Sequence, residues 1–154
     1  MGTSDILTAP IINGTPTGNG LPVITLKKGS GTANYTTTST SYEDVDTSNL
    51  SYSVTIPVGW ELAIIARMTV QNSVATGFVG AALTDGATVI NEAKTACDTP
   101  TGQYPLALLW SITGDGEVHY IRLQFKVFGA VTGTMNNSSS SELPTMLFIL
   151  IPAN

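Results

Sequence analysis

The sequence predicts an all-β fold: a single antiparallel β-sandwich of about eight strands with an extended N-terminal arm. Three observations carry that expectation. From Tyr35 onward, short runs of alternating apolar and polar residues are separated by Gly, Pro, Asn and Asp, and no stretch has the period of a long helix. Asp85-Gly86 stands between two such runs and is the strongest short hairpin signal in the chain. Residues 145–151, Thr-Met-Leu-Phe-Ile-Leu-Ile, are apolar on both faces of a strand, with Met146, Phe148 and Leu150 opposite Leu147, Ile149 and Ile151. Both sets need cover, so a second copy of the chain is expected to supply part of it.

Residues 1–34 read as the arm. The run from Gly14 to Gly20 is turn former beside turn former. Short apolar clusters precede it at Ile6, Leu7, Ile11 and Ile12, and the strand-like Val23-Ile24-Thr25-Leu26 follows before Gly29-Ser30-Gly31. Fully stretched, such a segment reaches on the order of 100 Å. Its apolar clusters have no evident place in a sandwich and are expected to dock on a partner.

Residues 35–154 read as the trimerisation domain. Residues 35–42 are polar and β-prone, and the acidic loop Glu43-Asp44-Val45-Asp46 follows. Leu50, Tyr52, Val54 and Ile56 alternate with Ser51, Ser53 and Thr55 as a half-buried strand that stops at Pro57-Val58-Gly59. The next strand, residues 60–70, places Leu62, Ile64, Ala66, Met68 and Val70 on one face, while the other begins apolar at Ala63 and Ile65 and turns polar at Arg67. Residues 77–84 and 87–91 form a hairpin, after which Glu92-Ala93-Lys94-Thr95-Ala96 suggests one helical turn. A second hairpin is expected between residues 106–112 and 118–128 around Thr113-Gly114-Asp115-Gly116, with His119, Ile121, Leu123, Phe125 and Val127 inward. Residues 129–141 form a long loop before the final strand. This spacing fits a sandwich, and a jelly roll is the most economical closure.

Composition narrows the function. The chain has 154 residues, of which 42% are hydrophobic and 11% charged, against roughly a quarter charged in ordinary globular chains. A surface so poor in charge suits a subunit covered by partners or one that decorates a larger particle. The net charge of −5 argues against nucleic acid, because phosphate binding needs a clustered cationic footprint. No run approaches the roughly 18 apolar residues of a membrane helix, and no basic-plus-apolar opening resembles a signal peptide, so no membrane partner and a cytoplasmic synthesis are expected.

The residues that carry chemistry are few. One Cys, Cys97, excludes an intrachain disulfide and a multi-Cys zinc site. Any Ser-His-Asp or Cys-His site would have to use the single histidine, His119, which reads more simply as a cap on the end of a core face. Asp44 and Asp46 offer oxygen ligands without the spaced loop that marks a calcium site. No glycine loop precedes a helix that would receive a phosphate. Tyr35, Tyr42, Tyr52, Trp60, Tyr104, Trp110 and Tyr120 are candidates for stacking on sugars, with packing the better reading for the two tryptophans. No catalytic residue, cofactor or metal is assigned. The expected trimer interface comprises Met146, Leu147, Phe148 and Ile149 of the last strand with Ile65.

Four segments carry a family resemblance: Tyr52-Ser53-Val54-Thr55-Ile56-Pro57-Val58-Gly59-Trp60, Leu83-Thr84-Asp85-Gly86, Ile112-Thr113-Gly114-Asp115-Gly116 with Ile121-Arg122-Leu123, and Pro144-Thr145-Met146-Leu147-Phe148-Ile149-Leu150. From about Tyr35 to Ile151 the chain resembles the tumour-necrosis-factor-like jelly-roll modules of bacteriophage virions, above all trimeric capsid decoration (cement) proteins. The resemblance implies a non-enzymatic homotrimer on the capsid exterior that holds the major capsid protein through its arms. The alternative is a head- or tail-fibre knob that binds a host receptor or glycan. A hydrolase is a distant third. The repetitive or coiled-coil shaft expected of a fibre is absent from this sequence, which favours cement.

Overall fold

The computed structural model describes residues 22–100, 102–138 and 143–153, and among them it contains eleven strands and no helix. Ile6, Leu7, Ile11 and Ile12 lie outside the described residues. The strands are β1 (Val23–Lys28), β2 (Tyr35–Thr37), β3 (Glu43–Asp44), β4 (Ser51–Thr55), β5 (Trp60–Asn72) and β6 (Gly77–Asp85). They continue with β7 (Thr88–Cys97), β8 (Tyr104–Thr113), β9 (Val118–Phe128), β10 (Gly133–Met135) and β11 (Thr145–Pro152).

All pairings are antiparallel and build two sheets, as expected of a jelly-roll sandwich. In the first, β5 is central: β8 runs along one edge, β11 and then β10 along the other, with β1 outside β11 and β2 outside β10. In the second, β9 pairs with β6 on one edge and with β3 and β4 on the other, and β7 closes the far side of β6. Alternation decides which residues meet between the sheets. Leu62, Ile64, Ala66, Met68 and Val70 of β5 and Met146, Phe148 and Leu150 of β11 face Val79, Ala81 and Leu83 of β6 and Ile121, Leu123, Phe125 and Val127 of β9; all are buried. Phe148, 1% exposed, packs its ring 4.6 Å from that of Tyr52.

Several expectations are corrected. Residues 22–34 belong to the sandwich, not to a free arm: β1 pairs with β11 along its whole length. Asn137 then pins the following loop, accepting from the Gly31 amide and donating to Ser30 Oγ and the Ala33 carbonyl. The segment 92–96 is strand, because β7 continues to Cys97 in register with β6, and that pairing overrides the weak helical preference of Glu-Ala-Lys. The turn 113–116 is not a hairpin. Its flanking strands enter different sheets, β8 beside β5 and β9 beside β6, so the turn carries the chain across the sandwich. Gly114 is required there, since a Cβ would collide with the Pro57 carbonyl. The hairpin at Asp85 forms one residue later than expected. Asp85 pairs with Thr88, Gly86 has φ 56° and Ala87 is not in the left-handed region, the pattern of a type II′ turn. Asp85 is thereby freed from the turn for side-chain work.

Candidate interaction surfaces

The outward positions of the first sheet form an apolar ladder. Leu26 of β1 is in register with Leu147 of β11, Leu147 with Ile65 of β5, and Ile65 with Leu109 of β8, so one row crosses four strands. The adjacent row runs Ile24, Ile149, Ala63 and Ser111. Ile24 is 61% exposed, Leu26 51%, Ile65 39% and Leu109 62%, while Leu147 and Ile149 are half-buried among them. The ladder is rimmed by polar residues: Lys28, Thr145 and Arg67 along one end, Glu61 and Thr113 along the other. Beside the Arg67 end lies a depression of about 450 Å³ lined in part by Arg67, Thr69, Pro105 and Leu143. Exposed apolar side chains scattered singly are normal, but a contiguous apolar patch on a sheet is the mark of an interaction surface.

This arrangement divides the expected interface. Met146 and Phe148 cannot belong to it, because both are buried in the core of their own chain. Leu147, Ile149 and Ile65 do lie on the outer face, joined by Ile24, Leu26 and Leu109. The added residues could not be ranked from sequence, since β1 and β8 present themselves beside β11 and β5 only once strand order is known.

Around Asp44 and Asp46, the second sheet and its adjoining loop are polar and internally paired. Arg122 of β9 donates to both carboxylate oxygens of Asp44 at 2.9 and 2.7 Å and also hydrogen-bonds the Gly86 carbonyl, while Gln124 donates to Asp44 at 2.7 Å. Asp46 accepts from the Tyr35 hydroxyl and from the amides of Ser48 and Asn49. Burial alone would raise the Asp46 pKa, but these hydrogen bonds outweigh it and hold the carboxyl below its ordinary value. Both carboxylates suggested as calcium ligands are therefore engaged in loop and strand contacts, and among the described residues no group of three or more His, Cys, Asp or Glu is arranged to hold a metal ion.

Of the remaining aromatic candidates, Trp60 packs against the core, Tyr104 accepts the Thr99 amide, and Trp110 is exposed. Tyr42 lies in a cleft of about 280 Å³ with Glu92, Ala93, Lys94, Lys126 and Phe128.

His119 is held from both sides. Its Nδ1 lies 2.6 Å from Asp85 Oδ2 and its Nε2 3.2 Å from Asp115 Oδ1, which ties the start of β9 to the end of β6 and to the crossing turn. With both ring nitrogens against carboxylates, neither is poised to activate a nucleophile. Cys97 is buried, and burial together with the neighbouring Asp98 pushes its thiol above the ordinary value, away from the reactive thiolate. Burial alone would lower the His119 pKa, but the hydrogen bonds and charges of Asp85 and Asp115 prevail and raise it. The charged ring then stabilises the fold fully below the ordinary imidazole pKa of about 6.5, and that contribution is lost as pH rises through the raised folded value. Relative to His119→Gln, the native chain should therefore be more stable by about 1 kcal/mol in mildly acidic buffer. Thermal melts across pH should show this advantage shrinking with increasing pH; an advantage that grows would contradict the pairing.

No protein-family model and no curated protein matches the sequence. Among solved structures, the chain is similar to the Eiger TNF of S. frugiperda, with a TM-score of 0.52 at 9% identity over 86% of this chain and 95% of that one. It is also similar to a structure of infectious bursal disease virus, Gx strain, with a TM-score of 0.47 at 12% identity over 86% of this chain. The VP2 subviral particle of the same virus gives a TM-score of 0.47 at 12% identity over 99% of this chain. This chain spans 37% and 42% of those two viral chains. At 9% identity, the likeness to Eiger TNF is one of fold.

Proposed function

We propose that the chain is a structural subunit of a bacteriophage virion, a homotrimer that sits on the capsid exterior and binds the major capsid protein through the segment preceding β1. The observation that carries this reading is the apolar ladder: one registered row across four strands and a second across three, open to solvent on a single chain, call for a partner surface of the same character. A second copy of the chain supplies one, and the count of three follows from the resemblance to trimeric decoration proteins. The role is structural rather than catalytic, in keeping with the doubly held His119 and the buried Cys97.

Binding would be multivalent. Apolar clusters such as Ile6-Leu7 and Ile11-Ile12 contribute little singly, because ordering a segment costs roughly what small clusters return. Three copies on one rigid body act at high effective concentration. Because β1 is part of the sandwich, the segment to remove ends before it. Deleting residues 1–21, which leaves β1 in place, should give an assembled protein with unchanged β-sheet circular dichroism that no longer binds undecorated capsids. Capsids lacking the whole protein should burst more readily on heating. A truncated chain that binds capsids as well as the full chain contradicts the reading. The second reading, a knob that binds a receptor or glycan, is favoured by the basic and aromatic cleft on the opposite sheet. A virion gel separates the two, because a cement protein matches the major capsid protein in copy number and a fibre does not.

A further inference from the structure

At the middle of its outer face the second sheet carries a cationic site that has no ion pair among the described residues. Gly80 of β6 is in register with Lys94 of β7 on one side and Lys126 of β9 on the other, so two lysines flank a position without a side chain. The gap is filled by rings, since a Cβ on Gly80 would stand 3.1 Å from the Phe128 ring and 3.3 Å from the Tyr42 hydroxyl. Both ammoniums gather on these rings. Lys126 Nζ lies 4.1 Å from the Tyr42 centroid and 4.9 Å from that of Phe128, and Lys94 Nζ lies 5.6 Å from Phe128 and 5.8 Å from Phe78. Phe78 and Phe128 meet edge to face at 6.4 Å and are both exposed.

Two like charges are thus brought onto one ring in a chain of net charge −5, and among the described residues neither lysine has an ion pair. Arg122, on the same face, differs in being matched to Asp44. Glu92 also lines the cleft, but it accepts the Tyr42 hydroxyl at 2.8 Å. Burial and that hydrogen bond push the Tyr42 pKa well above its ordinary value, so the phenol stays a donor and the second oxygen of Glu92 keeps its accepting capacity. The cleft therefore offers two cations for one anionic group, ring faces for an apolar face, and a carboxylate acceptor for a hydroxyl. At about 280 Å³ it is just below the usual range of small-ligand sites, roughly 300–1,000 Å³, and suits a single ring.

We propose that the cleft formed by Tyr42, Glu92, Lys94, Lys126 and Phe128 binds an anionic pyranose, with the carboxylate or sulfate of the sugar between Lys94 and Lys126 and its C–H face on Phe128. An ammonium moves from a ring face to a charged oxygen with gain, because a charge-assisted hydrogen bond is the stronger interaction. Glu92 favours a sugar over an acidic peptide because it accepts hydroxyls that a run of glutamates does not offer. The inference rests on the geometry of the sheet opposite the apolar ladder and not on the cement reading; a bound sugar would give the knob reading its ligand.

The test uses the full chain and isothermal titration with 3′-sialyllactose, a sulfated heparin disaccharide, neutral lactose and a hexaglutamate peptide. Sialyllactose or the heparin disaccharide should bind with a dissociation constant in the millimolar range, at least about tenfold tighter than lactose and than the peptide. Which of the two binds identifies the anion as carboxylate or sulfate. Lys94→Gln with Lys126→Gln should weaken binding by about tenfold or more without changing the circular dichroism. Lys94→Gln alone, on the exposed edge strand β7, should give a smaller loss and guards against a folding defect in the double variant. Binding of neither acidic sugar, equal binding of lactose, preference for the peptide, or full affinity in the folded double variant would each overturn the proposal.

Discussion

Truncating Phe148 to Ala should lower the stability of the chain by about 3–5 kcal/mol, the usual cost of deleting a buried phenylalanine. The ring is enclosed between the sheets, packed at a tilt of 44° against Tyr52 and flanked in register by Ile64 of β5 and Thr25 of β1. Domains of this size are stable by about 5–15 kcal/mol, so the loss consumes a large part of the margin. Chemical denaturation should show a much lower midpoint with an unchanged slope. Phe148→Asp should leave no folded chain, since an unpaired carboxylate would enter the core. A Phe148→Ala midpoint within experimental error of the native one would mean that this side chain is not in the core.

The opposite result is expected from the neighbouring row. Leu26→Asp combined with Leu109→Asp changes two side chains that the folded chain leaves more than half exposed, so the monomer should keep its circular dichroism and most of its stability. Assembly should fail. Burying one leucine contributes roughly 1.5–3 kcal/mol, and placing two carboxylates in the same contact removes that gain in every copy and adds desolvation cost. Size-exclusion chromatography with light scattering should report a folded single chain. Assembly of native mass in the double variant would move the association surface elsewhere.

The contrast between Phe148 and the row of Leu26 and Leu109, which passes through its strand neighbour Leu147, shows what alternation alone can decide. The alternation in β5 and β9 names their buried residues directly, because charged residues such as Arg67, Arg122 and Lys126 hold the opposite parity. In β11 both parities are apolar, and alternation cannot say which set enters the chain's own core. Sequence alone therefore groups Met146 and Phe148 with Leu147 and Ile149 at the interface, and strand packing divides them.

Turn chemistry had the same blind spot. Gly-Asp-Gly at 114–116 reverses the chain whether the next strand joins the same sheet or the facing one, and only the pairing of β8 with β5 and β9 with β6 decides. The weak strand character of Glu92-Ala93-Lys94 hid the end of β7, whose structure comes from the ladder with β6. The Lys94–Gly80–Lys126 row was illegible for a related reason. It spans three strands, and its central residue is visible in sequence only as one more glycine.

In the proposed assembly the apolar ladder joins three copies of the chain. Sedimentation velocity of the full-length native protein at micromolar concentration tests it most directly. One species at three times the 16.1 kDa chain mass, unchanged on moderate dilution, is expected. A single species at 16.1 kDa, soluble and folded with Leu26, Ile65 and Leu109 left in water, would contradict it.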